Sequence, residues 1–145
     1  MAASFSFTGF DPGRLFAGVE AYGDLALDEA AGEMATLGLS LATRMQEELL
    51  RAITPTGAAR VAAGRGQHAG RYESGRMHDA IDYDLDIDRE ARIITLRWGW
   101  IQEWVNYFAY QEWGTQHIEA VGSLGTTYSW GIMQLRGILS GMANQ

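Results

Sequence analysis

Cysteine is absent from all 145 residues. That excludes disulfides, thiolate metal sites and a thiol nucleophile, and it suits a reducing compartment. Lysine is absent as well, so all eleven basic residues are arginines. This matches the codon usage of a GC-rich genome, and it also supplies side chains that fork onto carboxylates at interfaces. Positive charge is scarce, with 18 acidic residues giving a net charge of −7. Such a balance favours solubility and opposes general phosphate binding. No apolar run approaches the ~20 residues needed to span a bilayer. Met1 to Phe10 has neither a basic n-region nor an apolar h-region, so no signal peptide and no membrane contact are expected. A protein made and used in a cytoplasm fits these absences.

The length suits one domain, 1–145, large enough to fold without staples. Residues 1–23 form an N-terminal arm rich in glycine and aromatics. Phe5 and Phe7 alternate with Ser4, Ser6 and Thr8 as in a short strand, and Asp11-Pro12-Gly13 is a turn. The arm packs either on its own domain or on a neighbour. A long helix is expected from about Asp24 to Ile53. Its apolar stripe is Leu27, Ala30, Met34, Leu37, Leu41, Met45, Leu49 and Ala52, and Thr54-Pro55 stops it. Leu39 and Leu50 lie off that stripe and suit a partner helix or a subunit contact. Residues 55–71 form a flexible loop broken by glycines, and Arg60, Arg65, Arg71 and then Arg76 make it the only basic segment.

Ile81 to Asp88 alternates apolar and acidic residues without a fault, which marks a strand with one buried and one charged face. A turn at Arg89-Glu90-Ala91 leads to a second strand, Arg92 to Trp100, whose Ile94, Leu96, Trp98 and Trp100 share a face. The two should pair as an antiparallel hairpin, with Arg92 and Arg97 placed to answer some of the aspartates. Residues 101–113 read as a short aromatic helix ended by Gly114. Gly122, Ser123 and Gly125 mark a loop, and a last helix runs from about Ser129 to Met142. The expected fold is α+β, with the long N-terminal helix packed on a small antiparallel sheet, a short aromatic helix and a C-terminal helix.

Candidate chemistry is thin. Asp82, Asp84, Asp86 and Asp88 resemble the start of a calcium loop, but that loop needs glycine sixth and glutamate twelfth, where Ile87 and Ile93 stand. A solvated strand face, or the acidic lining of a channel, is the better reading. His68, His78 and His117 form no paired metal motif. His78-Asp79 could orient an imidazole, and Glu103 or Glu112 could act as acid or base, yet no nucleophile motif accompanies them. No catalytic residue, metal or cofactor is therefore expected. The cluster from Trp98 to Trp113 reads as core or as an interface anchor.

Two segments carry a family likeness. One is Ser74-Gly75-Arg76-Met77-His78-Asp79-Ala80-Ile81, followed by an alternating strand and preceded by Thr54-Pro55-Thr56-Gly57. The other is Tyr107-Phe108-Ala109-Tyr110-Gln111-Glu112-Trp113-Gly114-Thr115. In order and spacing, across about residues 25–140, they resemble the head–tail connector or tail-completion proteins of long-tailed bacteriophages, often labelled minor tail components. The resemblance implies a structural, non-enzymatic virion protein, assembled in the host cytoplasm. It implies a ring of copies, six favoured over twelve, joining the DNA-filled head to the tail. Its neighbours would be a head-closure, stopper or portal-adaptor protein and a tail terminator or tail-tube protein. DNA would pass through the lumen without sequence-specific binding. A tail terminator or other ring-forming tail protein is the alternative, and a small hydrolase using Glu112 or His78-Asp79 the distant one.

On this likeness Gly75, Arg76, Tyr107, Tyr110, Glu112, Trp113, Gly114 and Thr115 are the interface and structural motif. Trp113 is expected to anchor the short helix on the sheet or the adjacent subunit. Gly114 should hold a positive φ, and Glu112 should accept bonds from an arginine. Arg60, Arg65 and Arg71 are expected to touch a neighbour or DNA, with the face of Asp82, Asp84, Asp86 and Asp88 as one candidate partner.

Overall fold

The chain alternates between two periodicities, and each builds one layer. A computed structural model describes residues 3–6, 10–11, 14–21, 24–51, 58, 62, 75–103, 105–116 and 120–143, with side chains within 27–142. Strands β1 (Ala3–Ser6), β2 (Phe10–Asp11) and β3 (Arg14–Ala21) precede the long helix α1 (Asp24–Leu50). The one-turn helix α2 (Arg76–Asp79) leads into β4 (Ile81–Asp88) and β5 (Ile93–Trp100), followed by α3 (Asn106–Trp113) and α4 (Ser123–Ala143). The architecture is α+β, as the periodicities predict.

All strands lie in one antiparallel sheet of order β1-β3-β5-β4, with β2 also on β3. The β4–β5 register sets Ile81, Tyr83, Leu85 and Ile87 beside Trp100, Trp98, Leu96 and Ile94. Period-two alternation then puts these eight on one face and the aspartates on the other. Helix α1 covers the apolar face, so its stripe of Leu27, Ala30, Met34, Leu37, Leu41, Met45 and Leu49 is buried against it. Ala52, the last residue of the expected stripe, lies outside the described residues. Helix α4 packs along α1 and completes the core with Leu124 and Leu135. A buried bond from Trp98 Nε1 to Thr127 Oγ1, 3.3 Å long, ties α4 to the sheet.

Three expectations need correction. The described residues of the arm form three strands of the protein's own sheet rather than one short strand, with β3 seated between β1 and β5. Gly122, Ser123 and Gly125 are not all loop, since Ser123 and Gly125 lie in α4, which starts six residues before the expected Ser129. α3 begins at Asn106 rather than 101.

Close packing of α1 on the sheet rests on Gly38. A Cβ there would meet Tyr83 Cδ2 at 2.5 Å and Leu96 Cδ1 at 2.7 Å, inside normal contact. Gly38→Ala is expected to destabilise by about 1–3 kcal/mol through overpacking, measured by denaturant unfolding. Stabilisation, as for an ordinary helical glycine, would show that the rings yield freely.

Candidate functional site

The two segments that carried the family likeness meet in space. Trp100, the last residue of β5, donates its indole N–H to the Met77 carbonyl of α2 at 2.8 Å. The same ring lies 5.6 Å from Phe108 of α3. Trp100 and Phe108 are both buried, so one tryptophan pins α2 and α3 to the end of the sheet. Gly75 precedes α2 with φ 79°. Arg76 bonds Glu103 through Nε and a terminal nitrogen. This pair stands beside Tyr107, whose phenol is pushed up chiefly by burial, with Arg76 pulling down and Glu103 adding to the rise. Tyr107 also packs edge-on against Phe108 at 4.8 Å.

Helix α3 then divides cleanly. Phe108, Gln111 and Glu112 are buried. Tyr107, Tyr110 and Trp113, three residues apart, are 36%, 52% and 44% exposed. This spacing lines them along one flank of the helix. Trp113 therefore does not anchor α3 in its own core; Phe108 does. Gly114 has φ 76° and ψ 173°, a conformation essentially reserved for glycine. Its φ is positive as expected, although the extended ψ is not that of a left-handed helix cap. Thr115, which follows it, is exposed.

Glu112 takes a different role from the arginine acceptor expected of it. Its side chain is 1% exposed and reaches across to the start of α4. Oε2 accepts from the Ser123 amide at 3.1 Å and the Ser123 hydroxyl at 2.6 Å, while Oε1 accepts from the Leu124 amide at 2.6 Å. These are the free N–H groups of a helix start, and a carboxylate is the natural counterpart of that positive end. Backbone bonds from Val121 to Gln111 and from Gly122 to Glu112 close the loop back on α3. Burial pushes the Glu112 carboxyl above its ordinary range, and the bonds from Ser123, Leu124 and Gly125 pull it part of the way back. Both oxygens are engaged in holding a helix.

The aspartates of β4 sit on the face away from α1, along an edge strand. Asp84 pairs with Arg97 directly across the ladder. Asp88 accepts from the Ala91 amide and so shapes the turn, whereas Asp82 and Asp86 are exposed. Arg92 lies in the turn with φ 59° and answers no aspartate among the described residues. The four carboxylates alternate along a ladder, and among the described residues no three potential ligands converge as a metal site. His78 Nδ1 and Asp79 Oδ1 bond at 2.8 Å on α2. A cleft of about 380 Å³ between α1 and α4 is lined by Glu29, Glu33 and Gln134 with Gly137 and Gly141. Arg60, Arg65, Arg71 and the loop 55–71 lie outside the described residues, apart from residues 58 and 62, as do Trp104, His68 and His117.

Two residues that sequence reasoning passed over stand out on α4. Met133 is 63% exposed, and Arg136, one turn on, is exposed too. Arg136 is the only charged residue in the 21-residue helix, a signal that was readable in the sequence. No helix among the described residues is long and apolar enough to cross a membrane. No family model, curated protein or solved structure matches the chain.

Proposed function

We propose that the chain is a structural subunit of the neck of a tailed phage, a head–tail connector or tail-completion protein that works in a ring and catalyses nothing. The observation that carries this reading is the division of α3. A short helix is pinned from behind by Trp100, Phe108 and Glu112, and it presents Tyr107, Tyr110 and Trp113 outward. Rigidly backed aromatics of this kind are the side chains that anchor protein interfaces. The alternative within the same class is a tail terminator. Glu112, the strongest acid–base candidate, has its oxygens engaged by Ser123 and Leu124, which supports the non-catalytic reading.

The test is the double substitution Tyr110→Ser with Trp113→Ser. Both positions are about half exposed, so the melting temperature should stay within a few degrees of the parent. Self-association, read by analytical ultracentrifugation, and the yield of tailed particles should fall at least tenfold. Unchanged association and normal particles would defeat the reading.

A further inference from the structure

A closed ring needs two different, mutually complementary faces on each copy. The aromatic flank of α3 is one of them on the reading above, and the inference here rests on that reading. The second face must suit three exposed rings, whose π faces are electronegative and whose neighbourhood therefore excludes carboxylates and attracts cations. Among the described residues, the exposed apolar side chains of α1 and β5 fail that condition. Leu39 and Leu50 lie on α1, which also exposes Glu29, Glu33 and Glu47. Ile93 follows the turn holding Glu90 and pairs with Asp88.

The outer face of α4 meets the condition. Thr126, Ser129, Met133, Arg136 and Ser140 are exposed and include no carboxylate, while Glu29 and Glu33 of α1 border the helix only on its Gly137 side. The small residues leave room for bulky rings, Met133 offers a thioether suited to aromatic contact, and Arg136 supplies a cation. Arg136 has no acidic partner among the described residues, unlike Arg51, Arg76, Arg89 and Arg97. The fold already uses this chemistry on the same helix, where the Arg44 guanidinium lies 4.7 Å over the Trp130 ring.

We infer that the aromatic flank of α3 seats on the outer face of α4 of a second copy, with Arg136 stacked on an aromatic ring and Met133 packed beside it. The contact is head-to-tail, so each copy gives one face and receives the other. The carboxylate at the edge of the aromatic flank, Glu103, is already paired with Arg76, and Tyr110, Trp113, Met133 and Arg136 bring no carboxylate of their own to the contact, which lessens like-charge repulsion between two acidic subunits. The buried Glu112 carboxylate fixes the C-terminal end of α3 to the start of α4, so the two faces keep a constant relation within each copy.

The absence of cysteine makes the test clean, because any disulfide must join engineered positions. Three full-length variants are prepared, Tyr110→Cys, Met133→Cys and the control Leu39→Cys, with folding checked by circular dichroism. Under mild oxidation at rising concentration, an equal mixture of the first two should give covalent dimers. The chain carrying both should give a ladder that ends at a closed ring. Arg136→Ala should weaken association by roughly 2- to 30-fold, the range of a cation–π contact. Dimers from Tyr110→Cys alone, or a preference for Leu39→Cys as the partner, would overturn the inference. So would the absence of any cross-link in a sample whose mass shows multimers, and in that case the ring reading survives. A chain that stays monomeric at every concentration and never enters particles would remove both.

Discussion

Trp100→Ala should lower the unfolding free energy by about 3–5 kcal/mol, the cost of emptying a large aromatic site in a packed core. A domain of this size has about 5–15 kcal/mol in total, so the variant should sit near the edge of folding. The indole is 2% exposed, stacks near Phe108 and donates to the Met77 carbonyl. Its removal leaves a cavity and an unpaired buried carbonyl together. The loss should also be local in kind. α2 and the start of α3 both pack on this ring, so hydrogen exchange in 76–79 and 106–113 should quicken more than in α1. Trp100→Phe separates the two contributions, because it keeps most of the apolar volume and loses only the donor. Its cost should be about 1–3 kcal/mol. On the neck reading, Trp100→Ala lowers particle yield by releasing the aromatic flank, even under conditions where the domain stays folded. A cost below about 1 kcal/mol for the alanine variant would show that the bonds of Glu112 and Gln111 to residues 121–124 hold α3 without the ring.

What could be read beforehand divides along physical lines. The stripe of α1 and the alternation of β4 are local periodicities, and both hold over the described residues, down to the pairing of Asp84 with Arg97. β3 escaped because a strand hydrogen-bonded on both edges is defined by its partners. Arg14–Ala21 carries no regular apolar–polar alternation, yet it pairs over its length with β5 and again with β1. The start of α4 escaped for a related reason. Gly122, Ser123 and Gly125 look like loop residues when local propensity is all there is, and the group that caps the helix stands eleven residues away in sequence, on another helix. The site was legible as a set of residue types. Its polarity was not, because the choice of which flank of Tyr107–Trp113 faces inward depends on where Trp100 and Ser123 lie. Hence Glu112 turned inward against expectation, and of the two places open to Trp113, the sheet or an adjacent subunit, the ring took the outward one.

Glu112 is where that inversion has its largest measurable consequence. Glu112→Ala strands two amides and a hydroxyl at the start of α4 in a site closed to water, and it removes the cap of a 21-residue helix. The expected loss is about 2–4 kcal/mol, from a missing cap together with unsatisfied buried donors. Glu112→Gln keeps the shape but turns an NH2 toward groups that are themselves donors, so about 1–3 kcal/mol should go even though the charge cost of burial is relieved. The pH dependence identifies which force governs the native side chain. Burial holds the folded carboxyl above its ordinary value of 4.5, against the opposing pull of Ser123, Leu124 and Gly125. Between the ordinary and the raised value, the folded chain keeps a proton that the unfolded chain has released. Stability from this group is therefore complete below that window and declines as pH rises through it. The glutamine variant does not titrate at this position, so the difference between native and variant unfolding curves isolates Glu112 from the other carboxylates. That difference should shrink as pH climbs from about 4 through the window and then level off. A difference that grows instead would mean that the helix start stabilises the anion by more than burial penalises it.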